Sequence, residues 1–268
     1  MTTTLVIGGT GKTGRRVVER LTDQGRPVRV GSRSGKPPFD WNDESTWAPA
    51  LEGVTAAYIT YYPDLALPGA VAAVDGFARL AAHSGVEQLV LLSGRGEPEA
   101  EAAERAVQGA GTGWTVVRSS WFSQNFSESF LLDPVQLGDI ALPAGDAREP
   151  FTDADDIADV VTAALVDSRH RGKVYEVTGP RLLSFAEVAA ELSAATGRTI
   201  TYTPVSRDEY SKVLEENGLP LEFADLFAGI LDGRNAHLTD GVQQALGRAP
   251  KDFADYARES AAAGAWER

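Results

Sequence analysis

The chain has 268 residues, 43% apolar and 24% charged, a size and balance that suit one large α/β domain or a nucleotide domain with a smaller companion. A formal charge of −13 repels a phosphate backbone, and the 25 Lys and Arg gather into no stripe, so nucleic acid is excluded as a partner. The absence of cysteine excludes disulfides, thiolate catalysis and cysteine-ligated zinc, and His83, His170 and His237 lie too far apart for metal-ligand spacing, so no metal is expected.

Thr4-Leu5-Val6-Ile7 reads as a first strand, and Val17, Val18 and Leu21 as one face of the helix behind it. Between them runs Gly8-Gly9-Thr10-Gly11-Lys12-Thr13-Gly14. Glycines at this spacing let the backbone turn sharply, leave room for a pyrophosphate, and bring helix and strand into close contact at the third glycine. The free N–H groups of the helix start then face the phosphates. No basic segment followed by an apolar core opens the chain, and no apolar run nears the ~20 residues of a membrane span, so a cytoplasmic chain without a membrane partner is expected.

Further apolar runs follow at Val28 to Val30, Ala57 to Thr60, Gln88 to Leu92, Trp114 to Arg118 and Val174 to Val177. Helical spacing appears at Val71, Val74, Phe77, Leu80 and Ala81, and again at Ile157, Val160, Val161, Ala164 and Leu165. Alternation of strands and helices predicts a Rossmann-type, doubly wound parallel sheet covered on both faces. The texture changes after Gly179-Pro180: Ser184-Phe185-Ala186-Glu187 is a capping box, Gly197 stops its helix, and three helical segments follow the β-like run Thr199 to Thr203. The expected division is a nucleotide-binding domain over 1–150, with 151–179 returning to its sheet, and a smaller, mostly helical lobe over 180–268. The acidic run Glu97 to Glu101 reads as a solvated loop or a helix start.

Ligands of doubly wound sheets sit outside the carboxyl ends of the strands, which directs attention to the residues following each strand. Ser32 and Arg33 follow the second, about 20 residues beyond the last glycine, where an acidic residue would hold the 2′-hydroxyl of NAD. A forked, permanent positive charge there matches a 2′-phosphate instead, with Lys36 as a second charge. This points to NADPH/NADP in preference to NAD. Asp40 either accepts from an adenine amino group or simply closes a turn. Thr60, Tyr61 and Tyr62 either wall the ribose and nicotinamide or pack as core aromatics. Ser93-Gly94 stands where the nicotinamide end should lie, and Ser119, Ser120, Trp121, Phe122 and Asn125 follow the next strand.

These pieces resemble the NmrA-like, or atypical short-chain dehydrogenase/reductase, family. The resemblance is carried by the GGTGKTG turn, Arg33, Ser93-Gly94, the run Thr115 to Phe126, Asp156-Ile157-Ala158 and Gly172 to Gly179, and it spans nearly the whole chain. The later part, including Gly218-Leu219-Pro220, looks nearest to the bacterial NADPH-dependent quinone oxidoreductase branch, with triphenylmethane reductases nearby. The resemblance implies that Gly8, Thr10, Gly11, Lys12, Thr13 and Gly14 hold the pyrophosphate, that Ser32 and Arg33 take the 2′-phosphate end, and that Tyr61 and Ser93 face the nicotinamide side. It further implies a substrate cleft lined by Trp121, Phe122 and Asn125. The stretch from Arg33 to Phe39 is short for the family.

Short-chain dehydrogenases commonly use a Tyr-x-x-x-Lys pair to hand a proton to a carbonyl. None of the seven tyrosines here has a lysine four residues on, and Glu101 and Glu104 occupy the helix where the pair is expected. The expected activity is therefore NADPH-dependent hydride transfer to a quinone-like or other conjugated small-molecule acceptor, which spreads the charge it receives and can take its proton from water. A non-catalytic NADP(H)-binding redox sensor is the alternative. The oligomeric state is not specified by the sequence.

Overall fold

A computed structural model describes residues 3–267. In chain order it begins β1 (Thr3–Ile7), α1 (Lys12–Asp23), β2 (Val28–Gly31), α2 (Trp47–Leu51), β3 (Val54–Ile59), α3 (Ala70–His83), β4 (Gln88–Gly94), α4 (Pro98–Gln108) and β5 (Gly113–Ser119). There follow α5 (Leu132–Leu137), β6 (Asp139–Leu142), β7 (Arg148–Glu149), α6 (Ala154–Val166) and β8 (Lys173–Val177). The remaining elements are β9 (Leu183–Ser184), α7 (Phe185–Thr196), β10 (Thr201–Pro204), α8 (Arg207–Glu216), α9 (Glu222–Ile230), α10 (Gly241–Leu246) and α11 (Phe253–Ala262).

The first of two units comprises Met1–Ser119, Ala154–Val177 and Asp240–Arg248. Its six strands are all parallel, in the order β2-β1-β3-β4-β5-β8, so the chain moves outward from β1 to β2 and then crosses to β3 on the other side. Strand residues alternate between two buried faces: Leu5, Ile7, Ala57, Ile59, Leu89 and Leu91 pack with Leu51, Phe77 and Val107 from α2, α3 and α4. The intervening Val6, Tyr58 and Val90 are also fully buried, on the side of α1 and α6. Burial on both faces explains why these strands are continuously apolar, as parallel pairing requires.

The second unit comprises Ser120–Asp153, Thr178–Thr239 and Ala249–Arg268. It is mostly helical around Phe126, Phe151, Phe185, Phe253 and Trp266, whose indole N–H donates to the Phe126 carbonyl at 2.7 Å. Both bonds of the expected capping box form at the start of α7, and Gly197 ends that helix in the left-handed region at φ 68°.

The division differs from a break near residues 150 and 180. Residues 120–153 belong to the second unit because β6 pairs with β10 in parallel, Ile140 opposite Tyr202, rather than joining the large sheet. Residues 240–248 belong to the first because α10 lies so close to β8 that a Cβ on Gly241 would stand 2.1 Å from the Glu176 carbonyl oxygen. Only glycine admits that approach.

Candidate functional site

The carboxyl ends of β1 and β3 meet where the strand order reverses, the position at which doubly wound sheets take their ligands. There Gly8 turns the chain with φ 65°, its N–H donating to Gly31 O at 2.9 Å and its carbonyl accepting from Gly11 N at 2.8 Å. The Thr60 hydroxyl donates to Ile7 O at 3.0 Å and occupies the space a Gly8 side chain would need, 2.3 Å from an ideal Cβ. α1 then begins at Gly11, an N-cap without a side-chain bond, and the first turn holds no acidic residue. The positive end of the helix dipole is thereby left for an external anion.

The three glycines do different work. A Cβ on Gly14 would lie 2.1 Å from Gly8 O, so this glycine serves helix-to-turn packing. A Cβ on Gly11 meets only Gly8 O, at 3.2 Å, which leaves the outer side of the turn open for a ligand. Thr10 is exposed and Lys12 half-buried beside it. The Thr13 hydroxyl is not on that side: it is buried and accepts from Tyr58 Oη at 2.9 Å, so the expectation that Thr13 holds the pyrophosphate narrows to its backbone.

Beyond β2, Ser32 O accepts from both Gly35 N and Phe39 N at 2.9 Å, which folds residues 32–39 into a tight loop. The Ser32 hydroxyl faces that of Ser34 at 3.4 Å. Arg33 projects from this loop, exposed and, among the described residues, without a side-chain hydrogen bond or ion pair. Asp40 does close a turn: its carboxylate accepts from Asn42 N at 3.0 Å, and residues 37–40 do not join the sheet, where Pro37 and Pro38 would bring no N–H to a ladder. Tyr61 packs against Trp41 with ring centroids 5.2 Å apart, and the Trp41 indole N–H donates to Thr60 O at 3.0 Å, so Tyr61 is the partly buried rim of an aromatic cluster with Phe39, Trp47 and Phe77. Tyr62 is 80% exposed.

In the second unit Trp121 sits among Phe130, Phe185 and Phe227, with its indole nitrogen buried and without an acceptor. Phe122 and Asn125 are half-buried at the turn that follows, held by a bridge from Phe122 to Thr152 and by the bond from Asn125 N to Phe122 O at 3.1 Å.

No family model matches the chain. It is 32% identical to the oxidoreductase YesF of Bacillus subtilis, over 96% of this chain and 95% of that protein. It is also 30% identical to the NAD(P)H azoreductase of Xenophilus azovorans, over 97% and 98%. The chain belongs to the NmrA-like, atypical short-chain dehydrogenase/reductase family. The fold agrees: the NADPH-dependent quinone oxidoreductase of Escherichia coli, complexed with NADPH, superposes with a TM-score of 0.79 at 21% identity, covering 97% of this chain and 99% of its own.

Behind the ends of β4 and β5 lies an ion network. Ser93, expected on the nicotinamide side, is buried, and its hydroxyl donates to Glu104 Oε1 at 2.6 Å. Arg118 grips both oxygens of the buried Glu104, at 2.9 and 2.6 Å, and reaches Glu176 at 2.7 Å. These charged bonds, those to Glu104 first, push the Arg118 pKa upward.

Two residues not anticipated from the sequence complete the strand ends. Glu97 follows β4 and lies at the N-terminus of α4 without capping it. Its carboxyl oxygens lie 2.4 and 2.5 Å from where a Cβ on Gly94 would be, so the group lies over the bare backbone of Gly94. Burial, then the charges of Asp64 and Glu99, push its pKa up to about 8. Asp64, in the loop after β3, accepts from Ala66 N at 2.9 Å, and burial raises its carboxyl too. The sequence signal was the acidic run directly behind Ser93-Gly94. It opens α4, as one of the two readings of it held, but its first residue turns toward the strand end rather than to solvent. Among the described residues no group of His, Cys, Asp and Glu forms a metal site, and no helix is long and apolar enough to cross a membrane.

Proposed function

We propose that this chain is an NADPH-dependent oxidoreductase that passes hydride to a quinone-like or other conjugated small-molecule acceptor. The observation that carries this reading is the acid-free N-terminus of α1 behind Gly8 and Gly11, followed on the next strand end by an exposed Arg33 with no partner among the described residues. Relatives at 30% identity or more that are named as oxidoreductases, across nearly the whole chain, support an enzyme over a sensor.

The fit to the cofactor is steric and electrostatic. The backbone N–H groups around Gly11, Lys12 and Thr13 bind pyrophosphate at the positive end of the helix, and the open side of Gly11 lets it approach. Arg33 pairs with the 2′-phosphate in bidentate fashion. Reduced nicotinamide supplies the hydride. Thr60, Tyr61 and Gly94 border its end of the site in the first unit. Within the second unit, Trp121, Phe122 and Asn125 are the residues that the family resemblance assigns to acceptor binding, and the Trp121 indole N–H is a buried donor without an acceptor among the described residues. With no Tyr-x-x-x-Lys pair in the sequence, a conjugated acceptor is favoured because it delocalises the incoming charge.

Following NADPH absorbance against a panel of quinones, cationic dyes and enones tests this. Acceptor-dependent oxidation of NADPH, faster than of NADH, is expected. Tight NADPH binding with no oxidation by any acceptor in the panel would refute the catalytic reading.

A further inference from the structure

Of the carboxyls at the carboxyl edge of the sheet in the first unit, Glu97 is withdrawn from solvent and, among the described residues, has neither an ion pair nor a side-chain hydrogen bond. Glu97 is half-buried over Gly94, its side chain leaves the α4 N-terminus uncapped, and Gly94 offers it a platform that any other residue would fill. The carboxyls opposite it are Asp64, from the loop after the neighbouring β3, and Glu99 from α4. Three acidic groups near one another cannot all ionise cheaply, and the nearby buried Arg95 pairs with Glu176. Asp64 keeps a backbone N–H donor, which stabilises its charge, and Glu99 is exposed, so the proton settles on Glu97.

We propose that Glu97 is the proton donor of the reaction, a catalytic residue that takes the place of the missing tyrosine-lysine pair. The inference rests on the proposed reductase function. For a neutral quinone the balance is as follows: hydride from the reduced nicotinamide brings two electrons and one hydrogen, leaving an anionic oxygen on the acceptor. The Glu97 O–H bond breaks and an O–H bond forms at that oxygen. The nicotinamide is oxidised, the quinone becomes a neutral hydroquinone, and the Glu97 carboxylate regains its proton from water. Asp64 is a positioning residue, whose charge keeps Glu97 protonated at neutral pH. Burial and that charge together hold the Glu97 carboxyl up to about 8, near the working pH of a general acid.

A cationic triphenylmethane dye separates this inference from the reading beneath it. Hydride neutralises such a cation without any proton, whereas a neutral quinone needs one. Glu97→Gln keeps the size and loses the labile proton. It should lower quinone turnover about 100-fold or more, the contribution of a positioned acid, and leave dye turnover within about threefold. Wild-type quinone turnover should fall as pH rises through about 8, and that limb should vanish in the variant. An independent readout needs no cofactor: the 13C carboxyl resonance of labelled wild-type protein, assigned by its loss in Glu97→Gln, should titrate near pH 8 rather than in the ordinary carboxylate range. A Glu97 resonance that titrates below pH 6, equal losses on both acceptors, or an unchanged quinone rate would each overturn the acid role. Wild-type protein that reduces neither acceptor would instead overturn the reductase reading, and the acid role with it.

Discussion

Replacing Gly14 and Gly11 separately divides a packing glycine from a ligand glycine in the same turn. On Gly14 a methyl would meet only backbone, 2.1 Å from Gly8 O, 2.7 Å from Gly8 C and 2.9 Å from Gly9 Cα, more than 1 Å inside contact with no side chain able to yield. α1 must then move off the turn, at a cost near the upper end for overpacking, about 3 kcal/mol. For a chain of this size the loss amounts to roughly 6–10 °C in Tm. Gly11 has φ −83° in the extended region and its methyl meets Gly8 O at 3.2 Å, so Gly11→Ala should cost about 1 kcal/mol or less. The same methyl occupies the approach to the helix N-terminus and should weaken NADPH binding at least about tenfold. Thermal unfolding with and without NADPH reads both effects. A Gly14→Ala protein within 2 °C of wild type, or a Gly11→Ala protein with an undiminished NADPH shift, would refute the corresponding half of the argument.

Arg33→Ala should cost about 1.5–3 kcal/mol of NADPH affinity, roughly ten- to a hundredfold, with NADH affinity unchanged; equal loss for both cofactors in titration calorimetry would contradict a 2′-phosphate contact. An acid whose folded pKa lies above its unfolded one stabilises the fold at low pH and loses that contribution as pH rises through the folded value. Wild-type Tm should therefore fall more between pH 5 and pH 9 than that of Glu97→Gln, because Glu97 stands near 8 instead of 4.5; parallel Tm curves would count against it. Asp64→Asn removes the opposing charge and should move the Glu97 titration to lower pH, as 13C NMR would show. Tyr61→Phe and Tyr62→Phe should each lower quinone turnover by less than about 100-fold, since one ring is packed on Trp41 and the other stands in solvent; a larger loss with intact NADPH binding would make that phenol the acid.

The parallel sheet was legible because its strands carry unbroken apolar runs and because the glycine turn comes at residue 8, between a strand and a helix. Helix ends were legible wherever a side chain marks them, as Ser184 with Glu187 and Gly197 do. Legibility failed where a residue's role depends on a partner distant in sequence. Thr13 lies inside the glycine motif, yet Tyr58, 45 residues on, draws its hydroxyl into the core. Ser93 stands at the expected strand end, yet its hydroxyl donates to Glu104 on the following helix. Glu97 reads as one more solvated acid until Gly94 beneath it and Asp64 beside it are placed. β6 is too short to signal its partner, and pairing with β10, some 60 residues later, assigns the 120–153 segment to the second unit.

The return of residues 240–248 to the first unit bears on how the protein is made. Synthesis delivers β8 long before α10, and until Gly241 has left the ribosome the Glu176 backbone of that last strand has no helix against it. Arg248, which ties the buried Asp156 at 2.6 Å, arrives later still. The nucleotide-binding half therefore cannot be completed in order of translation: its closing piece emerges only after most of the second unit, and a fragment ended at residue 177 would hold all six strands of the sheet but leave β8 without α10.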